Sequence, residues 1–252
     1  MITDKNGELA PKTDVISRIV EEIFNSEAEN LILIHGGGSF GHPPAKQYAI
    51  KEGLKKDGQK IGFAETHHFM TVLNGLFMDA LIWHHVPALS VTPSSCILTE
   101  DGRIKRFDDE LLSMLMKMNV LPVLYGDAVL DMKLGFTILS GDQLAAYLSM
   151  RFNAERVLVG VDVDGLYDAD PKAEKNAKLF VHLTLKELKE LKGRMHEPAS
   201  GDVTGGMLGK VKELLPVVEK GIPVDFFNAS KPNYVSKVLR GEEVPGTLIE
   251  KE

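Results

Sequence analysis

The chain has 252 residues, 44% hydrophobic and 26% charged, with 29 Lys+Arg against 36 Asp+Glu for a formal net charge of −7, and a single cysteine. At roughly 150 residues per domain that is one large α/β domain or two small ones; intrinsic disorder and a disulfide scaffold are excluded. The acidic balance argues against general affinity for nucleic acid or anionic membranes, no apolar run approaches the ~20 residues that span a bilayer, and no basic-then-apolar leader opens the chain, so a reducing, cytoplasmic home is expected.

In chain order, Val15, Ile16, Ile19, Val20, Ile23 and Phe24 recur at helical spacing behind Thr13 or Asp14 as cap. Leu31 to Ile34 reads as a continuous apolar strand of the kind buried on both faces of a parallel sheet, with glycines directly after it. A helix follows from about 43, then a long one over 63–83. The run from Pro87 to Thr92 is a strand, and Cys96 to Phe107 is a hairpin about Asp101-Gly102. Beyond it come a helix over 109–118, a strand from Val120 to Tyr125, a hairpin over about 128–139, a helix over 142–152 and a strand from Arg156 to Val161. The rest predicts helices over 184–192, 207–220 and 232–240 and strands over 223–227 and 246–249. No solenoid repeat or low-complexity tract interrupts the series. Alternation of this kind predicts a mainly parallel sheet with helices on both faces and ligands at the carboxyl ends of the strands, where every glycine cluster falls.

Four clusters carry the chemistry. His35-Gly36-Gly37-Gly38-Ser39-Phe40-Gly41-His42 follows the first strand. Glycines in succession let backbone N–H groups approach an anion, and the start of the next helix adds positive charge. Neither the dinucleotide spacing nor a Walker A loop is matched. A plain strand-to-helix turn needs one glycine, so phosphate approach is favoured, with His42 placed to donate to a phosphate oxygen. His35 reads as structural. His67-His68 and His84-His85 have no carboxylate or cysteine partner at metal spacing, so no histidine metal site is expected. The second cluster is Tyr125-Gly126-Asp127 with Ser140-Gly141-Asp142-Gln143. From spacing alone, Asp142 is equally a helix cap or an acid that orients lysines around phosphate. The third, Asp162 to Pro171, is too acidic for an ordinary turn, misses the calcium-loop pattern, and suits a base or ribose held by Asp164. The fourth, Asp202-Val203-Thr204-Gly205-Gly206-Met207-Leu208-Gly209-Lys210, opens another helix with a lysine in its first turns. Two glycine-rich helix starts, an acidic loop and a lysine suggest two phosphate-bearing ligands, the layout of phosphoryl transfer. Met207 and Met114 to Met118 read as core.

Gly36 to His42, Tyr125 to Asp127, Ser140 to Gln143, Asp162 to Gly165 and Asp202 to Met207, in that order, resemble the amino acid kinase superfamily, and the histidine closing the first loop resembles its isopentenyl phosphate kinases. The resemblance runs from Met1 to about Ile249. It implies a three-layer α/β/α sandwich with a mainly parallel central sheet. It implies one domain over 1–252, with 1–155 mainly for the phosphate acceptor and 156–252 mainly for ATP. The implied reaction is isopentenyl phosphate plus ATP giving isopentenyl diphosphate plus ADP, with Mg²⁺, in an alternative mevalonate route to isoprenoids. A cytoplasmic homodimer without nucleic-acid or membrane partners is also implied. By resemblance, Lys5, His42 and Asp142 are catalytic. Gly37, Gly41, His42, Gly126 and Gly141 bind the acceptor, with Phe63 as candidate for its apolar tail. Gly38, Asp164, Tyr167, Pro171, Gly206 and Lys210 hold the nucleotide.

The family opens with a strand ending Lys-x-Gly-Gly-Ser before Val-Ile-Thr-Asp-Lys, whereas this chain begins Met1-Ile2-Thr3-Asp4-Lys5. The expectation is that it starts just after that strand, through a misassigned start or a shortened form, and is poorly active or poorly folded as written. Lys5 would still reach the transferring phosphate. Three further readings stand beside this one. A fosfomycin- or carbamate-type kinase would want cationic or amide contacts in place of an apolar pocket. A non-catalytic nucleotide-binding module would bind ATP without turnover. A dinucleotide oxidoreductase fails on glycine spacing.

Overall fold

The computed structural model describes residues 1–4, 9–192 and 206–252, in two compact units: Ile2–Leu144, and Ala145–Glu252 together with Met1. In the first unit, α1 (Thr13–Ser26) buries Ile16, Ile19, Val20 and Ile23, the stripe read from the sequence, and ends at Glu27 in the left-handed region with φ 54°. Then come β1 (Leu33–His35), α2 (Gly38–Gln47), a 3₁₀ turn (Ile50–Glu52) and α3 (Gln59–Trp83). They are followed by β2 (Ala88–Ser90), α4 (Pro93–Cys96), β3 (Ile97–Glu100), β4 (Arg103–Phe107), α5 (Glu110–Lys117), β5 (Leu121–Tyr125), β6 (Asp127–Asp131) and β7 (Gly135–Leu139). The helix α6 (Gly141–Phe152) carries the chain onward.

Strands β1, β5 and β2 form a parallel sheet in the order β1-β5-β2, with Leu33 opposite Val123 and Ala88 opposite Leu121. Ile16, Val20, Phe40, Met70, Leu73, Phe77, Leu81, Val123 and Tyr125 make one buried cluster. Leu73 and Leu81 are wholly buried, each stabilising the unit by about 1.5–3 kcal/mol. The two hairpins form a second sheet, β4-β3-β6-β7, antiparallel within each hairpin and joined by a parallel pairing at Thr99 and Asp131. Asp131 fastens both turns. Its carboxylate accepts from the Thr99 hydroxyl (2.8 Å) and from the N–H groups of Asp101 (3.1 Å), Gly102 (2.8 Å), Lys133 (2.9 Å) and Leu134 (2.8 Å). Burial works to raise the Asp131 pKa, but these donors hold it well below the usual carboxylate range.

The second unit contains β8 (Val157–Val161), β9 (His182–Thr184), α7 (Leu185–Lys192), α8 (Gly206–Glu219), β10 (Val224–Asn228), α9 (Tyr234–Leu239) and β11 (Gly246–Glu250). Its sheet runs β8-β10-β11-β9, parallel at β8–β10 and β11–β9 and antiparallel at β10–β11. Val211, Leu214, Val217 and Val218 of α8 pack with Val224, Phe226 and Ile249 in its core.

The fold is thus mixed α/β with parallel-rich sheets. Some details differ from the sequence reading. The helix expected from about 43 begins at Gly38, because the Gly37 carbonyl accepts from Phe40 (3.0 Å) and Gly41 (3.3 Å) and closes a first turn inside the glycine cluster. Pro43 and Pro44 therefore lie within α2 instead of opening it. Met114 and Met118 are exposed, not core, since Leu112 and Leu115 supply the buried face of α5. Among the described residues no helix is long and apolar enough to cross a membrane.

Candidate active site

In the unit Ile2–Leu144, the carboxyl end of β1 leads straight into the first turn of α2. A Cβ on Gly37 or on Gly41 would lie 2.8 Å from Met70 Sδ, so α3 presses directly on both glycines. Gly38 has φ +49°, a conformation that favours glycine. The Ser39 N–H donates to the Thr3 hydroxyl (3.1 Å), while the buried Ser39 hydroxyl has no hydrogen-bond partner among the described residues. His42 follows in the same helix, partly exposed.

The β5–β6 corner comes to this loop from the other side. The Gly126 N–H donates to the His35 carbonyl (3.0 Å). A Cβ on Gly126 would sit 3.2 Å from the Gly141 N, and one on Gly141 would sit 3.4 Å from the His35 carbonyl oxygen. Three glycine clusters far apart in sequence thus meet at strand carboxyl ends, as the parallel-sheet rule expects. At the start of α6 the Ser140 hydroxyl accepts from the Gln143 N–H (3.1 Å), so the cap is Ser140, and Asp142 is not needed for it. Gln143 clamps the β3–β4 hairpin, its Oε1 accepting from Ile104 N–H and its Nε2 donating to the Gly102 carbonyl, both at 3.1 Å.

His35 lies under the loop, stacked between Phe77 (4.6 Å) and Tyr125 (5.4 Å). Its Nε2 faces Asn74 Oδ1 and its Nδ1 faces the Gly36 carbonyl, each at 3.2 Å. Burial lowers its pKa from 6.5 to about 4 against both bonds. Phe63 stacks on Phe136 (5.0 Å) in a small cluster with Ile50 and Ala128.

In the other unit, Asp164 follows β8. Burial works to raise its pKa, but Lys231 Nζ (2.8 Å) and the donating Asn228 amide (3.0 Å) hold it below the usual value. Tyr167 bridges to Leu179 and has a phenol pKa raised by burial and by Asp164. The other acids of this loop, numerous in the sequence, have local partners: Asp162 pairs with Lys172 (2.7 Å), Asp168 accepts from Lys178 N–H (2.7 Å), and Asp170 from Lys172 N–H (2.9 Å). Pro171 lies in the following turn. Gly206, at φ +58°, opens α8, and Lys210 follows one turn later. Among the described residues no group of three or more His, Cys, Asp or Glu could hold a metal ion.

The amino acid kinase family model matches residues 1–228. The chain is 40% identical to an isopentenyl phosphate kinase of Methanothermobacter thermautotrophicus over 99% of its own length and 95% of that protein's. The chain belongs to the amino acid kinase family, in its isopentenyl phosphate kinase branch. A plant member from Arabidopsis thaliana is 32% identical over 95% of this chain and 79% of that protein. A solved isopentenyl phosphate kinase structure overlays with a TM-score of 0.84 at 37% identity, over 95% of this chain and 92% of that one. Another, described as an isopentenyl phosphate kinase substrate complex, gives 0.79 at 27% identity, over 99% and 96%.

For this member of the branch, the structure brings Gly37, Gly38, Gly41, Gly126 and Gly141 together in one unit, with His42 and Asp142 on the helices that start there. Asp164, Tyr167, Pro171, Gly206 and Lys210 lie in the other. Lys5 and residues Asp202 to Gly205 of the fourth motif lie outside the described residues. His67 has a carboxylate partner: its Nδ1 is 3.0 Å from Asp127 Oδ1. The two are 60 positions apart, so no local spacing could have paired them.

Proposed function

We propose that this chain transfers the γ-phosphoryl group of ATP to isopentenyl phosphate, giving isopentenyl diphosphate and ADP. What carries the reading is 40% identity, over nearly the whole chain, to a protein named isopentenyl phosphate kinase, together with a glycine turn that ends in His42. An oxygen of the acceptor phosphate attacks the γ-phosphorus; that P–O bond forms as the β–γ bridging bond breaks and ADP leaves. Such a step needs positioning and charge neutralisation more than a covalent residue.

We assign His42 to grip the acceptor phosphate, with Gly37, Gly41, Gly126 and Gly141 allowing its close approach and the Phe63 region taking the apolar tail. Gly38, Gly206 and Lys210 meet the ATP phosphates, Asp164, Tyr167 and Pro171 hold the nucleoside side, and Asp142 orients the lysines, Lys5 among them, about the transferring group. The unit Ile2–Leu144 is then mainly the acceptor unit and Ala145–Glu252 mainly the nucleotide unit. Mg²⁺ enters on the nucleotide's phosphates as part of the substrate. A cytoplasmic homodimer completes the reading, supported by the apolar surface at Ile82 and Trp83, 65% and 82% exposed.

The test is ADP release coupled to isopentenyl phosphate addition. Turnover that His42→Ala reduces by two orders of magnitude or more is expected, the scale of losing a phosphate-positioning donor (roughly 10²–10³). ATP binding without turnover on isopentenyl phosphate, or turnover indifferent to His42→Ala, would overturn the assignment.

A further inference from the structure

His67, on α3, and Asp127, at the head of β6, form a pair that the proposed reaction leaves unused. The Asp127 side chain is fully buried, whereas the His67 side chain is one-third exposed (33%). His67 Nδ1 lies 3.0 and 3.1 Å from the two Asp127 carboxylate oxygens. The carboxylate also accepts from the N–H groups of Ala128 (2.8 Å) and Ser94 (3.3 Å). The Ser94 hydroxyl faces the same Nδ1 at 3.3 Å. Serine and aspartate therefore share one ring nitrogen, and this is not a nucleophile-activating relay, which puts them on opposite nitrogens. Among the described residues His67 is the basic side chain paired with Asp127.

Position gives the pair its meaning. Asp127 directly follows Gly126, whose Cα faces Gly141 N across a gap too small for a side chain to enter freely. One turn along α3 from His67, Met70 presses on Gly37 and Gly41. The pair thus ties α3, which presses on Gly37 and Gly41, to the corner where Gly126 meets Gly141. An uncompensated carboxylate buried there would repel a phosphate dianion.

We propose that His67 is a positioning residue for the acceptor phosphate: its imidazolium offsets the buried Asp127 carboxylate and fixes the Gly126 corner, so that the acceptor meets no net negative charge. The inference rests on the acceptor reading given above. The hydrogen bond to Asp127 raises the His67 pKa above 6.5, although burial opposes it. Burial raises that of Asp127 even with His67 beside it, so the pair holds its proton firmly. The other titratable groups around it come from three elements. Cys96 of α4 has its thiol pushed up to about 11 by burial and by Asp108 and Asp127, and burial likewise raises Tyr125 of β5; Asp108 is exposed between β4 and α5. With the Cys96 thiol held near 11, the His67 imidazolium, its pKa raised by the Asp127 hydrogen bond, is the charge that rising pH removes in this proposal. Acceptor affinity should therefore fall as pH rises through its raised pKa.

Two measurements test this. In the first, KM and kcat for isopentenyl phosphate are followed from pH 6 to 9 in the wild type, His67→Gln and His67→Gln/Asp127→Asn. Glutamine keeps a donor for Asp127 and removes the charge. The single variant should raise KM for isopentenyl phosphate about fivefold at pH 6.5, with KM for ATP unchanged and the alkaline rise gone, and the double variant should recover most of the loss. A single variant with wild-type KM and pH profile, or a double variant that recovers nothing, overturns the inference in favour of a packing role. The second needs no turnover and no variant: the His67 ring is titrated by NMR in the wild type with and without inorganic phosphate. An upward move of its pKa with phosphate is expected, and no move overturns the proposal. A wild type that never phosphorylates isopentenyl phosphate, yet whose His67 responds to phosphate, sinks the substrate assignment alone.

Discussion

Replacing His35 by glutamine separates one buried titration from all others. In the folded protein the imidazole is held neutral, its pKa lowered from 6.5 to about 4 by burial between Phe77 and Tyr125. Between those two values the unfolded chain binds a proton that the folded chain refuses, so stability falls as pH drops through this window and loses nothing further on this account below about 4. At 1.36 kcal/mol per pH step the full loss is about 3 kcal/mol, a sizeable share of a typical folding stability. Both ring nitrogens face oxygen acceptors, Asn74 Oδ1 and the Gly36 carbonyl, which limits how far burial can lower the pKa. The assay is urea unfolding followed by circular dichroism at several values from pH 7.5 to 4.0, for wild type and His35→Gln. Carboxylate protonation lowers both curves alike, so the informative quantity is the difference. The wild-type advantage at pH 7.5 should shrink by about 3 kcal/mol by pH 4. A difference that stays flat across the window would mean that the folded imidazole takes up its proton as readily as the unfolded one, and the argument from burial would be refuted.

Asp131→Ala removes the acceptor of five hydrogen bonds across two turns and should cost about 3 kcal/mol or more, read as a lowered urea midpoint. Gly41→Ala puts a methyl against the Met70 thioether, and Met70→Ala empties that space, so the double variant should be less destabilised than the sum of the singles by at least ~0.5 kcal/mol; strict additivity would show that α3 does not press on the loop.

Much of this was legible in the sequence because the long elements carry strong periods. Ile16 to Ile23 and Leu73 to Leu81 mark their helices, and the strand ends coincide with the glycine clusters, so both the fold class and the gathering of Gly37, Gly126 and Gly141 could be anticipated. What escaped reading lies at long sequence separation or in short pieces. The four residues of α4 and three of β9 are too few to show a period. The choice between Ser140 and Asp142 as cap is a matter of side-chain reach, and both types suit the role. The pairing of Asp164 with Lys231, 67 positions away, could not be read from the sequence, whereas Asp162, Asp168 and Asp170 find partners within ten positions. Met114 and Met118 are as apolar as their neighbours, and only the phase of α5 against its sheet decides which of them meets water.

The Thr247 hydroxyl accepts from the Leu166 N–H (2.8 Å) and donates to the Phe180 carbonyl (2.5 Å), and Gly165 is bare because that hydroxyl occupies the place of a side chain. The loop that begins and ends at these positions is therefore latched by a residue of β11. Removing β11 would release a loop some eighty residues upstream. A tag placed beyond Glu252 keeps the latch; one that replaces β11 does not.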